Sequence, residues 1–111
     1  KEEQSNSAVK KAMLYIQENF SKDISLDEVS GQVNISPYYF SKIFKEETGE
    51  NFIEYLTRIR IEKAKEFLKQ PEVSVKEAGV KSGYTDPNYF SRIFKKQTDM
   101  TPSEFKTRYG K

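Results

Sequence analysis

Apolar residues recur along this chain at helical spacing. Val9, Met13, Ile16 and Phe20 form one stripe and predict a helix from about Ser7 to Phe20, ended by the turn Ser21-Lys22-Asp23. No alternating pattern bounded by turns predicts a strand. The polar positions between the stripes carry helix-start signals. Ser25-Leu26-Asp27-Glu28 and Ser74-Val75-Lys76-Glu77 have the capping-box form, in which the Ser side chain accepts from the N3 amide and the Glu reaches back to the Ser amide. Ser36-Pro37 and Asp86-Pro87 each place a cap residue before a proline at N1, where the missing N–H costs nothing. Asn51 with Glu54, and Thr101-Pro102-Ser103-Glu104, mark two more starts. Residues 52–68 form one continuous helical pattern, stopped by Gln70-Pro71 and about 25 Å long at the usual helical rise. The chain is therefore expected to be all-α, with seven helices.

These signals come in pairs. "SPYYFSKIF" at residues 36–44 returns as "DPNYFSRIF" at residues 86–94. At an offset of fifty, Pro37, Tyr39, Phe40, Ser41, Ile43, Phe44, Lys45, Thr48, Glu54, Thr57 and Arg58 meet identical residues, and Tyr55 meets Phe105. Upstream the offset becomes forty-nine, because Thr85-Asp86 adds one residue to the second turn. Each copy reads as a short helix (about Leu26–Val33, then Val75–Ser82), a tight turn, and a second helix (about Pro37–Thr48, then Pro87–Thr98). Asn34 and Gly83 occupy the turn positions that call for positive φ. This is helix-turn-helix grammar, in which the second helix enters the DNA major groove.

Composition narrows the chemistry. The 111 residues fit one compact unit or two very small subdomains sharing a core. There is no cysteine and no histidine, which leaves no thiolate nucleophile, no imidazole acid–base pair and none of the usual zinc sites. Catalytic residues, metal ligands and cofactors are accordingly none, and an enzyme is the weakest reading. No apolar run is long enough to span a membrane, and the N-terminus has no signal-peptide pattern, so a cytoplasmic setting is expected. The chain opens at Lys1 with no initiator methionine, as expected for a domain of a longer protein. Charge is uneven: residues 1–56 carry six Lys or Arg against ten Asp or Glu, and residues 57–111 carry thirteen against seven. A basic second half suits a polyanionic partner.

Projecting the two second helices separates a constant side from a variable one. Phe40, Ile43, Phe44 and Glu47 share the side expected to be mostly core; Tyr38, Ser41, Lys42 and Lys45 lie opposite. Inward positions repeat in the second copy, while Tyr38 becomes Asn88 and Lys42 becomes Arg92. One scaffold would thus present two different base-reading faces. Arg92 is suited to the O6/N7 edge of guanine, Asn88 to N6/N7 of adenine, Tyr38 to a thymine methyl or a phosphate, and Lys42 to guanine or phosphate. Ser41 and Ser91 offer hydroxyls to the same surface. Phosphate contacts fall to Ser36, Lys45, Pro87, Tyr89, Lys95 and Lys96. Taken singly, each of these is equally well explained as a solvated side chain; as a set they are not. Phe40, Phe44, Phe90 and Phe94 read as core, and Tyr39 and Tyr89 as packing at the subdomain edge. Glu46 and Glu47 stand opposite Lys96 and Gln97, so the second copy should gain more from nonspecific electrostatics.

The motifs "ISLDEVSGQVNISPYYFSKIFKEETG", "YLTRIRIEKAKEFL" and "GYTDPNYFSRIFKKQTDMTPSEFK" resemble the AraC/XylS-type bacterial transcription regulators over nearly the whole chain. The resemblance implies two helix-turn-helix subdomains joined by a long linker helix, reading adjacent major-groove segments of double-stranded DNA. It assigns residues 1–51 to the first subdomain, 52–70 to the linker and 71–111 to the second. It further implies an activator working with RNA polymerase and a parent chain with an effector or receiver domain. In the family, the positions matching Tyr38, Ser41, Lys42, Asn88, Ser91 and Arg92 face the groove. Ser30 and Gly79 depart from the family's usual alanine, and a glycine within a helix is expected to cost about 1 kcal/mol against alanine. Asp99 stands where the first copy has Gly49. The competing reading is a helical protein-interaction module, against which stand the small number of units and the lack of an apolar groove on the outward faces.

Overall fold

The computed structural model describes residues 2–110, and all its elements are helices: α1 (Glu2–Asn19), α2 (Leu26–Gln32), α3 (Pro37–Thr48), α4 (Phe52–Leu68), α5 (Val75–Lys81), α6 (Pro87–Thr98) and α7 (Pro102–Tyr109). Lys1 and Lys111, the outer ends of the expected subdomains, lie outside the described residues. Close contacts divide the chain into two compact units whose boundary falls inside α4, between Thr57 and Arg58. None of the described helices is long and apolar enough to cross a membrane.

The proline starts hold as expected. Ser36 Oγ accepts from the Tyr39 amide, and Asp86 Oδ1 accepts from the amides of Asn88 and Tyr89, so α3 and α6 begin at Pro37 and Pro87. Both end alike. Gly49 (φ 80°) and Asp99 (φ 65°) are left-handed caps whose amides bond the carbonyls of Lys45 and Lys95. The identical Thr48 and Thr98 explain themselves here. Each hydroxyl donates to the carbonyl four residues back (Phe44 or Phe94, 2.8 Å) and accepts the amide two residues on, so the side chain closes the turn. Asn34 (φ 59°) and Gly83 (φ 108°) carry the positive φ the two turns require.

Two starts differ from expectation. α1 begins at Glu2, ahead of the expected Ser7, because the sequence of residues 2–6 contains no helix breaker. The capping box at α2 is half made: Ser25 Oγ accepts from the Glu28 amide, but the Glu28 carboxylate accepts the Tyr15 hydroxyl of α1 instead of reaching back to Ser25. That bond pushes the Tyr15 hydroxyl pKa up from its ordinary value. The boxes at α5 and α7 are complete, and at α4 Asn51 and Glu54 exchange the same pair of bonds.

In the first unit α1 packs on α2 and α3, and Val9, Ala12, Ile16, Val29, Phe40 and Phe44 of these helices are buried. Phe44 lies 5.3 Å from Phe40 and edge-on to Tyr55 at 5.3 Å, and the buried Tyr55 hydroxyl accepts from Gln17 Nε2. Glu47, expected on this side, is exposed in the last turn of α3.

The second unit is built on a row of rings, Tyr84, Phe90, Phe94, Phe105 and Tyr109, with successive centres 4.7–5.8 Å apart. Ile61, Ala64 and Leu68 of α4 close one side of it. Lys106 of α7 reaches the end of α4, donating to the carbonyls of Leu68 (3.2 Å) and Gln70 (2.9 Å). Pro71 stops the helix, so the Leu68 carbonyl lacks an intrahelical partner, while the Gln70 carbonyl also accepts the Val73 amide. Gly79 reverses its expected cost. A Cβ there would lie 2.8 Å from Phe90 Cδ2, so the close crossing of α5 over α6 depends on its absence. Ser30, its counterpart in the first unit, is buried with its hydroxyl donating to the Asp27 carbonyl.

Candidate nucleic-acid interface

α3 and α6 each bury one face and leave the other to solvent. The buried faces are the same, with Phe40 and Phe44 at 0% exposure and Phe90 and Phe94 at 1% and 0%. With those four rings fixing each helix's rotation about its axis, the opposite positions must face outward. Tyr38 is 84% exposed, the most open of the large apolar side chains, and Lys42, Asn88 and Arg92 are exposed. Ser41 and Ser91 are half-buried at the edge of the exposed strip. The six base-reading candidates therefore split into four open side chains and two flanking hydroxyls, three residues on each helix.

The phosphate candidates lie around them. Lys45, Pro87, Lys95 and Lys96 are exposed, and Ser36 is exposed but uses its hydroxyl as the α3 cap. Tyr39 and Tyr89, expected as edge packing, are 46% and 47% exposed. Tyr89 does pack on one side, its ring centre 5.8 Å from Tyr84. Tyr84 and Arg60, not singled out in the sequence, stand behind Tyr89, with the Arg60 guanidinium 5.4 Å from the Tyr84 ring centre. The available signal was an aromatic residue directly after the turn glycine Gly83.

The two helices differ in charge. α3 sets Lys42 and Lys45 against Glu46 and Glu47, and Glu54 lies 4.0 Å from Lys45 Nζ. α6 carries Arg92, Lys95 and Lys96 with no acid between its proline and its cap. At α6 the cations occupy the outward face and the last turn, where they also complement the helix dipole. A polyanion would thus find three cations and no acid along α6, with Glu104 near Lys95 as Glu54 is near Lys45, and two cations set against two acids along α3.

Residues 29–108 match the helix-turn-helix domain family. The regulatory protein PocR of Salmonella typhimurium is 34% identical over 101 residues, covering 91% of this chain and 33% of that protein. The lactose operon transcription activator of Staphylococcus xylosus is 31% identical over 104 residues, 94% of this chain and 37% of that protein. Among solved structures, the C-terminal domain of AraT, a response regulator from Geobacillus stearothermophilus, superposes with a TM-score of 0.89 at 38% identity, covering 94% of this chain and 87% of that one. The chain spans between 33% and 61% of the length of the curated relatives PocR and two uncharacterised regulators.

Proposed function

The chain belongs to the helix-turn-helix DNA-binding domains of the AraC/XylS-type transcription regulators, and from that premise we propose that α3 and α6 read two adjacent major-groove segments of one duplex. The observation that carries this reading is the pairing of identical buried faces with different outward ones. A repeat kept only for its fold would have no reason to confine its changes to the solvent side.

In this reading residues 1–51 form the first reading subdomain, 52–70 the linker and 71–111 the second. Tyr38, Ser41 and Lys42 face bases from α3, and Asn88, Ser91 and Arg92 from α6. Arg92 meets a guanine through a bidentate pair, and Asn88 meets an adenine. Ser36, Lys45, Pro87, Tyr89, Lys95 and Lys96 line the phosphates and set register without reading sequence. The likeness to a lactose operon activator supports an activating role, with RNA polymerase as the protein partner. The greater length of the relatives, and the response regulator among them, support an effector or receiver domain elsewhere in the parent chain.

Selection of bound sequences from a randomised duplex pool tests the reading. Two short motifs about one helical turn apart, roughly 10 base pairs, are expected. A single motif would reduce one unit to a clamp on the backbone. Tight capture of a protein partner with no salt-dependent affinity for duplex DNA would replace the reading with the interaction-module alternative.

A further inference from the structure

In the second unit a row of packed rings, flanked by two guanidinium groups, runs to the surface. Tyr84 is buried and stacked on Phe90, with centres 5.7 Å apart and 26° between planes. Arg60 of α4 lies 5.4 Å from the Tyr84 ring centre. Tyr89 leans on Tyr84 at 5.8 Å, and one turn further along α6 the Arg92 guanidinium carbon sits 5.9 Å from the Tyr89 ring centre. The innermost ring is held by the core. Each outer member is then held by the one behind it, and Arg92 is last.

We propose that Tyr89 is a positioning residue for Arg92, its ring rather than its hydroxyl setting how well Arg92 discriminates a base. This rests on the reading of α6 as a base-reading helix. A guanidinium is planar and weakly hydrated, so it stacks on a ring face while its N–H edge stays available for a bidentate pair. A side chain with four rotatable bonds loses less freedom on meeting guanine when one face is already seated. The first unit cannot repeat the device. Ile35 stands where Tyr84 does and Lys42 where Arg92 does, so both the inner ring and the planar cation are missing from that sequence.

The test compares affinities for the selected duplex and for a duplex changed at the one base pair that Arg92→Ala ceases to discriminate. Wild type, Y89F, Y89L, Y89M, R92A and R92A/Y89L are measured, each checked for an unchanged melting temperature. Y89F is expected to keep the discrimination ratio, because the ring is kept and only the hydroxyl goes. Y89L is expected to lower the ratio about two- to fivefold, the size of an exposed cation–π contact, and to add nothing in the R92A background. Y89M, unbranched and compatible with a helix, serves in its place if Y89L melts early. An unchanged ratio in both Y89L and Y89M overturns the proposal, as does an equal loss with and without Arg92. If R92A discriminates every pair as wild type does, the base-reading premise itself fails.

Discussion

Gly79 and Phe90 meet so closely that a methyl group on the glycine would lie 2.8 Å from the phenylalanine ring. Phe90 is 1% exposed and cannot swing into solvent to make room. Helix propensity favours alanine by about 1 kcal/mol, and overpacking a filled core typically costs about 1–3 kcal/mol. The second effect wins. Gly79→Ala is expected to lower stability by up to about 2 kcal/mol, read by urea denaturation; a raised midpoint would mean that Phe90 yields freely.

Arg92 and Lys96 should fail differently. Arg92→Ala is expected to cost about 1–3 kcal/mol on the preferred duplex and to relax selectivity at one base pair. Lys96→Ala should weaken binding to all sequences alike and reduce the slope of log affinity against log salt by about one. Affinity titrations at several salt concentrations separate the two.

Glu46 and Glu47 should weaken the attraction of α3 for a polyanion. Giving the first unit the second unit's residues, Glu46→Lys with Glu47→Gln, is expected to raise nonspecific DNA affinity and steepen its salt dependence. An unchanged salt slope would show that α3 keeps away from phosphates.

The caps make a graded series. Ser74→Ala and Thr101→Ala each remove one half of a complete capping box and should cost about 0.5–2 kcal/mol. Ser25→Ala likewise removes one bond, from the Glu28 amide; the difference lies in the glutamates, since Glu77→Ala and Glu104→Ala remove a second cap bond, whereas Glu28 makes none to the Ser25 amide. An unchanged urea midpoint in Glu77→Ala and Glu104→Ala would show that the reciprocal bond adds nothing.

Acid should act through the same boxes. The Ser74 amide bonds Glu77 and the Thr101 amide bonds Glu104, each at 2.8 Å, holding both carboxyls below the ordinary glutamate range. A folded pKa below the unfolded one means the stabilisation is complete above the ordinary glutamate value. It is lost as pH falls through the depressed folded value. Tm measured against pH for Glu77→Gln and Glu104→Gln should therefore differ most from wild type near neutrality and converge with it in acid.

Local signals carried most of the fold. Ser36-Pro37 and Asp86-Pro87 located α3 and α6 to the residue, because a cap and a proline act within one turn. The exposed strip from Tyr38 to Lys42, and from Asn88 to Arg92, followed from the phase of the buried phenylalanines. What stayed hidden was set by residues distant in sequence. Tyr15 takes Glu28 from across thirteen positions, and the cost assigned to Gly79 changed sign only once α5 was seen against Phe90. Tyr84 and Arg60 escaped notice for the same reason: their partnership joins α4 to the turn between α5 and α6.

Tyr55 in the first unit and Tyr84 in the second are the two buried tyrosines of the seven, and the chain has no tryptophan. Each half therefore carries one chromophore locked in an asymmetric surrounding, while the other five are at least partly open to water. Near-ultraviolet circular dichroism of Tyr55→Phe and Tyr84→Phe would assign the signal to one half or the other. The loss of each half on heating can then be watched by its own absorption, without attaching a label.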